Sequence, residues 1–144
     1  MKTTLAGLAC GFAVLGVDGA LAQTPVNFQA AASGQIMFVM PAQNIGCTYT
    51  PKGGTGVYKP FDGGPELSCD QSKPRYTRVV LTPKTVRHFK KVGDQDGVPE
   101  DNTFKPGTRW MLAPFTCDAT AAALNCQVAG GRSFSIDKAG IKVK

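Results

Sequence analysis

The feature that most restricts the fold of this chain is a set of four cysteines spread over its last two thirds. They are Cys47, Cys69, Cys117 and Cys126. Four cysteines allow three disulfide pairings. We favour Cys47–Cys69 and Cys117–Cys126, because the members of each pair lie close in sequence and can close a local strand–loop–strand unit. On a loop-entropy argument the first bridge contributes about 3 kcal/mol and the second somewhat less.

Zinc binding is the alternative use of four thiolates. The spacings are wide and the chain has no C-x-x-C motif, so the sequence favours disulfides. An even number of cysteines in a small exported chain points the same way. A small domain buries little core, so covalent links matter more to its stability.

The N-terminal 22 residues are typical of a cleavable secretion signal. Lys2 gives a positive start, Leu5–Val17 is an uncharged run of 13 residues, and Ala20-Leu21-Ala22 is a small-x-small cleavage site. The run is shorter than the roughly 20 residues that span a bilayer. We therefore expect cleavage after Ala22 and no transmembrane segment afterwards. Cys10, within the signal, is a poor lipid-attachment site, because Gly7 stands where such sites have Leu.

Residues 23–34 show little apolar patterning and are predicted to be a flexible lead-in. Residues 35–144 are predicted to form a single β-rich, disulfide-linked domain, in which alternation with period two indicates the strands. The predicted strands are Ile36–Met40, Asn44–Thr50, Glu66–Asp70, Tyr76–Leu81, Thr108–Pro114, Phe115–Asp118, Leu124–Val128 and Ser133–Ile136. Five glycines and two prolines predict a loop over residues 52–65.

One short helix is predicted from Pro83 to Val92. Thr82 resembles an N-cap before a proline, and Val86, Phe89 and Val92 recur with helical spacing. The same residues also tolerate a strand, which is the alternative. The fold class is therefore mainly β, a small antiparallel sandwich or open barrel with one short helix and two local disulfides. The predicted core comprises Ile36, Phe38, Ile45, Leu67, Val79, Leu81, Phe89, Trp110, Phe115, Leu124, Val128, Phe134 and Ile136.

Several segments resemble a family of small secreted bacterial proteins known only as a domain of unknown function. Residues 38–47, FVMPAQNIGC, resemble its F-x-x-P-S-G-N-I-x-C opening, and residues 64–70, GPELSCD, its second cysteine segment. GTRW, APFTC, LNC and GRSFSI, between residues 107 and 136, resemble its G-x-x-W, G-P-F-x-C, G-L-x-C and G-H-G-F-x-L-S-R motifs. The resemblance implies secretion, paired cysteines and a β-rich fold, and it brings no known activity.

Two departures from that family are informative. Arg132 stands where relatives have a histidine, so any role of that histidine is lost. Residues 94–101 contain no cysteine, so the third bridge of many relatives is absent.

Candidate catalytic and metal-binding residues are few. His88 is the only histidine, and no serine or acid is marked as its partner, so we expect a surface residue rather than a base. Asp94, Asp96, Glu100 and Asp101 faintly resemble a calcium loop that lacks further ligands. Trp110 is expected in the core rather than in a ligand groove. The sequence thus predicts no cofactor and no metal.

A basic stretch carries the one sharper hypothesis. Residues 71–93 contain seven cations and no acid, in a chain of net charge +6. The plain interpretation is a solvated face. The functional one is contact with an anionic envelope component, such as lipid headgroups or acidic glycan, and export makes nucleic acid a less natural partner. The candidate anion-binding residues are Arg75, Arg78, Arg87, Lys90 and Lys91.

We therefore favour a secreted, non-enzymatic binding or interaction domain, in the periplasm or outside the cell. The alternative is a secreted enzyme of unrecognised type that acts on an envelope polymer. Two carboxylates, or His88 and an acid, converging in a deep pocket would favour the enzyme.

Overall fold

A computed structural model describes residues 22–93 and 102–144. These residues form eleven β-strands and a three-residue 3-10 turn, Pro41–Gln43. The strands are β1 (Thr24–Val26), β2 (Ile36–Met40), β3 (Ile45–Thr50), β4 (Glu66–Gln71), β5 (Thr77–Leu81), β6 (Val86–Phe89), β7 (Thr108–Leu112), β8 (Phe115–Ala119), β9 (Leu124–Val128), β10 (Ser133–Asp137) and β11 (Gly140–Val143).

The strands form two sheets, each mostly a meander of sequence neighbours. One has five strands in the order β2-β3-β4-β5-β6, and the other has six in the order β1-β7-β8-β9-β10-β11. Neighbours pair antiparallel except β1 and β7, which are parallel. The sheets do not close into a barrel. The mainly β class predicted from sequence is confirmed.

One apolar core lies between the two sheets. Period-two alternation turns one face of each strand inward, as in Phe38 of β2 and Phe115 of β8, which are both fully buried. Aromatic rings join the sheets, with the centroid of Phe38 5.4 Å from that of Trp110 and the centroid of Tyr49 5.9 Å from that of Phe115. Twelve of the thirteen predicted core residues are buried, Trp110 among them.

Phe89 is the one core prediction that is wrong. Its register partner is Arg78, and both residues lie on the outer face of the five-stranded sheet. The Arg87 guanidinium covers the Phe89 ring, with its carbon 5.0 Å from the ring centroid.

The helix predicted from Pro83 to Val92 is also wrong, because Val86–Phe89 is an edge strand paired with β5. Thr82 does what an N-cap does, since its hydroxyl accepts hydrogen bonds from the N–H groups of Lys84 and Thr85 at 3.1 and 3.0 Å. Here those bonds close a hairpin turn, in which the Thr82 N–H donates to the Thr85 carbonyl at 2.9 Å. Thr82 therefore stabilises a turn that reverses the chain.

The lead-in predicted to be flexible contains a strand. Thr24–Val26 pairs with Thr108–Trp110, and Phe28 stacks on Phe38 with centroids 4.9 Å apart. The strand that pairs with Thr24–Val26 is more than eighty residues away, so no local pattern predicts this strand.

Both predicted disulfides are present. Cys47–Cys69 joins β3 to β4 and Cys117–Cys126 joins β8 to β9, each between directly opposite residues with Cα atoms 4.1 Å apart. Two buried disulfides are compatible with folding outside a reducing compartment.

Two sequence predictions fall outside the described residues. They are the secretion signal, apart from Ala22, and the acidic segment at 94–101. Within residues 22–93 and 102–144, no helix is long and apolar enough to cross a membrane.

Candidate functional site

The candidate anion-binding residues separate onto two surfaces. Arg78 and Arg87 lie on the outer face of the five-stranded sheet, where Arg78 forms a two-pronged ion pair with Asp70 at 2.6 and 2.7 Å. Arg75 and Lys90 lie at the end of the sheet, and Lys91 is exposed next to Lys90. The five candidate residues therefore do not form a single basic surface, because Val86–Phe89 is a strand paired with β5 rather than part of the predicted helix.

A cleft of about 400 Å³ lies at this end of the molecule, between the five-stranded sheet and the turn that joins β10 to β11. We call it the end cleft. Its lining residues are Gln71, Pro74, Arg75, Thr77, His88, Lys90, Ala139, Gly140 and Ile141. Within residues 22–93 and 102–144, two of the lining residues are cationic and none is acidic, so this part of the cleft favours a ligand that carries negative charge.

Strand register brings the polar residues of the end cleft together. Gln71 is opposite Thr77, and His88 is opposite Val79, a core residue of the same inner face. The Gln71 side chain donates to the Asp137 carbonyl at 2.7 Å and so links the two walls. The turn at residues 137–140 is held by the Ala139 N–H, which donates to the Asp137 carboxylate at 2.7 Å.

Two polar atoms in this region are buried without a hydrogen-bond partner among the residues that the structure describes. They are Thr77 Oγ1 and His88 Nε2. Leaving a buried polar atom unpaired costs about 1–3 kcal/mol, so such atoms are uncommon. Burial, followed by the nearby charge of Lys90, lowers the pKa of His88 below its ordinary 6.5. His88 is therefore neutral at pH 7 and gains a charge only in acid.

A second polar groove, of about 260 Å³, lies on the outer face of the five-stranded sheet. Hydroxyl groups and two carboxylates line this outer groove, with Glu66 and Asp70 four residues apart on β4. Glu66 is only 3% exposed and accepts a hydrogen bond from the Tyr58 hydroxyl at 2.7 Å. Burial raises the pKa of Glu66, although the Tyr58 hydrogen bond opposes the shift.

Sequence reasoning missed Thr77, Gln71 and Glu66. Gln71 and Thr77 could have been found from their positions, because they continue the inward-facing positions of β4 and β5 beyond the apolar residues. The sequence alone predicts His88 at the surface, and only the strand register places it on the inner face.

Metal binding finds no support in the described ranges, where no group of three or more His, Cys, Asp or Glu side chains could hold an ion. The four cysteines form disulfides, so their sulfurs do not serve as thiolate ligands for a metal. The calcium-like segment lies outside the described residues.

No family model, curated protein or solved structure matches this chain. The resemblance to the family of unknown function stays a prediction.

Proposed function

We propose that this protein is a secreted, non-enzymatic binding domain that contacts an anionic component of the cell envelope through the end cleft. The observation that carries the proposal is the composition of that cleft, where Arg75 and Lys90 are accompanied by His88 and Thr77 and, among the residues that the structure describes, no acid lines the cleft. Envelope polymers present two acidic groups of suitable size, phosphate and carboxylate, and a guanidinium binds either through paired hydrogen bonds.

The neutral imidazole and the hydroxyl add uncharged hydrogen-bonding groups beside the two cations. Each can donate or accept a hydrogen bond, so together they can orient a bound oxyanion that the cations attract. An anion bound close to His88 stabilises the imidazolium and raises its pKa, whereas Lys90 and burial lower it. Binding is therefore expected to strengthen as the pH falls toward the pKa of His88.

The only histidine of the chain makes this test direct, because its imidazole C–H resonances are unambiguous in an NMR spectrum. We would follow those resonances from pH 4.5 to 8, alone and with inorganic phosphate or glucuronate as the probe. We expect a pKa below 6.5 for the protein alone and a saturable rise with at least one anion.

Two matched double variants distinguish the effect of the cleft residues on binding from the effect of net charge. Arg75→Ala with Lys90→Ala should abolish the saturable rise. Lys105→Ala with Lys144→Ala removes the same charge away from the cleft and should leave it intact. No saturable response to either anion, or equal loss in both double variants, would overturn the proposal.

The outer groove favours one second candidate, a hydrolase acting on an envelope polymer. A buried carboxyl with a raised pKa, such as Glu66, is suited to donate a proton to a leaving group. Two features argue against this: Asp70 has both oxygens bound by Arg78, and the Cα atoms of Glu66 and Asp70 are about 13 Å apart along the strand.

Release of soluble fragments from purified cell-wall polymer decides between the two candidates. The binding proposal expects no release above a buffer control. Release that is lost in Glu66→Gln, which keeps an oxygen for Tyr58 but cannot donate an acidic proton, would establish the hydrolase instead.

A further inference from the structure

The loop between β3 and β4, residues 51–65, presents large apolar side chains to solvent at the end of the sheet opposite the end cleft. Val57 is 100% exposed and Phe61 is 88% exposed, which makes them the two most exposed large hydrophobic side chains in the described ranges. We call these two residues the loop tip. Single exposed apolar residues on a surface are ordinary, whereas two almost fully exposed ones on one short loop make that loop a candidate interaction site.

The loop holds the tip in place through many hydrogen bonds. The Thr55 hydroxyl accepts from the N–H groups of Val57 and Tyr58 at 3.3 and 3.0 Å, and the Thr55 N–H donates to the Tyr58 carbonyl at 2.7 Å. Gly54 has φ +77°, and a side chain there would collide with the Tyr58 carbonyl. This packing prevents the loop from folding the tip inward.

Two contacts attach the loop to the next hairpin. The Thr82 hydroxyl donates to the Asp62 carboxylate at 2.6 Å, and the Lys84 ammonium donates to the Asp62 carbonyl at 3.2 Å. On the other side, the Tyr58 hydroxyl is bound to buried Glu66. The fold therefore fixes the exposure of the tip.

Four cations lie on the loop or contact it. Lys52 and Lys59 lie on the loop, Lys84 contacts it, and the Arg87 guanidinium carbon lies 5.3 Å from the centroid of the Phe61 ring. The one acid of the loop is Asp62, whose pKa is lowered because hydrogen bonds from Thr82 and Gly64 and the charge of Lys84 outweigh its burial. The surface thus combines an apolar projection with an excess of positive charge.

We propose that the loop tip inserts into the headgroup region of an anionic bilayer, with the four surrounding cations contacting the lipid phosphates. Apolar and aromatic side chains enter the bilayer interface while Lys and Arg remain at the headgroups, and neither element alone gives stable attachment. The inference depends on the proposed function only for the export that brings the chain to a membrane, since it uses a different surface.

The experiment is cosedimentation of the purified protein with phosphatidylcholine vesicles, with and without phosphatidylglycerol, at low and moderate salt. We expect binding only to the anionic vesicles, weakened by salt because exposed charges are screened over about 10 Å at 0.1 M. Val57→Ser with Phe61→Ser should reduce the partition coefficient roughly tenfold, since the lost apolar burial drives insertion. Lys52→Ala with Lys59→Ala should also reduce it, by about fivefold for each charge removed.

Two matched controls test whether position matters. Met111→Ser with Val143→Ser removes exposed apolar side chains of the other sheet, and Lys105→Ala with Lys144→Ala removes two remote cations. Both should bind anionic vesicles like the unmodified protein. Direct evidence of insertion comes from Phe61→Trp, whose fluorescence should be quenched by brominated lipid while buried Trp110 is not.

Absence of binding to anionic vesicles, or equal losses in the tip variants and their controls, would overturn the membrane assignment and leave the tip to a protein partner. The NMR response of His88 to phosphate should survive in Val57→Ser with Phe61→Ser. Failure of one proposal is therefore distinguishable from failure of the other.

Discussion

The strands β4 and β8 carry the same arrangement of side chains in two different sheets. In each, a cysteine points inward and forms a disulfide with one neighbouring strand, and the aspartate after it points outward to an arginine on the other neighbour. In β4, Cys69 joins β3 and Asp70 binds Arg78 of β5. In β8, Cys117 joins β9 and Asp118 binds Arg109 of β7, at 2.6 and 2.8 Å.

The two arrangements differ in what covers them. The side chain of Asp70 is 11% exposed and that of Asp118 is 28% exposed. Near Asp70, the outer groove includes Tyr58 of the loop at residues 51–65 and buried Glu66, whereas the groove near Asp118 is lined by side chains of β8 to β11 and the C-terminal lysine. The same arrangement is thus a mostly buried ion pair in the five-stranded sheet and a more exposed ion pair in the six-stranded sheet. The comparison teaches that the surroundings of the ion pair distinguish the two sheets, because Tyr58 of the loop and Glu66 of β4 line the groove beside Asp70.

The largest expected effect concerns the disulfides. Cys47→Ala with Cys69→Ala should lower the free energy of unfolding by about 3.4 kcal/mol, and Cys117→Ala with Cys126→Ala by about 2.6 kcal/mol, because the first loop is longer and restricts the unfolded chain more. Chemical denaturation of the two variants measures both values.

Both variants remove two buried sulfurs, so the cavity contribution is similar and the difference reports loop length. An equal loss in the two variants would show that packing, rather than loop closure, dominates both bridges.

Local pattern predicted most of the fold and little of the candidate sites. Period-two alternation places eight strands, because each of those strands buries one face in the core between the two sheets. It fails for Val86–Phe89, where pairing with β5 outweighs a helical spacing, for Thr24–Val26, whose partner is distant, and for Gly140–Val143, whose burial does not alternate. The end cleft depends on the register that sets His88 opposite Val79, and register is fixed by turns and pairing that single residues do not reveal.

The second prediction breaks the two ion pairs. Asp70→Asn should destabilise the protein by about 2 kcal/mol, since it leaves the Arg78 charge in a partly buried site with its carboxylate partner removed. Asp118→Asn should cost clearly less, because water solvates Arg109 once the pair is lost. Thermal and chemical unfolding of both variants provide the measurement.

Salt sharpens this second prediction. The difference in the free energy of unfolding between Asp118→Asn and the unmodified protein should shrink in high salt. The corresponding difference for Asp70→Asn should persist, because buried pairs are screened less. Equal costs and equal salt dependence would mean that the loop does not desolvate the Asp70 site.

The smallest expected effect is a fall in stability with rising pH at the covered site, which contains Glu66. Glu66 has its pKa raised above 4.5 in the folded protein, so between 4.5 and that raised value the folded state binds more protons than the unfolded state. Stability contributed by this group is complete below pH 4.5 and declines as the pH rises through the folded pKa. Glu66→Gln has no proton to lose, so its stability relative to the unmodified protein should increase over that window.

Asp137→Asn is the contrasting control, because a hydrogen bond from Lys142, followed by one from the Ala139 N–H, lowers the pKa of Asp137 below 3.8. Its contribution is complete above pH 3.8 and is lost as the pH falls, which is the opposite sign in a separate window. Urea denaturation of the three proteins at intervals from pH 3 to pH 8 measures both. A constant difference in the free energy of unfolding between Glu66→Gln and the unmodified protein above pH 4.5 would mean that the Glu66 carboxyl is solvated. The loop would then not cover β4, and the contrast with β8 would fail.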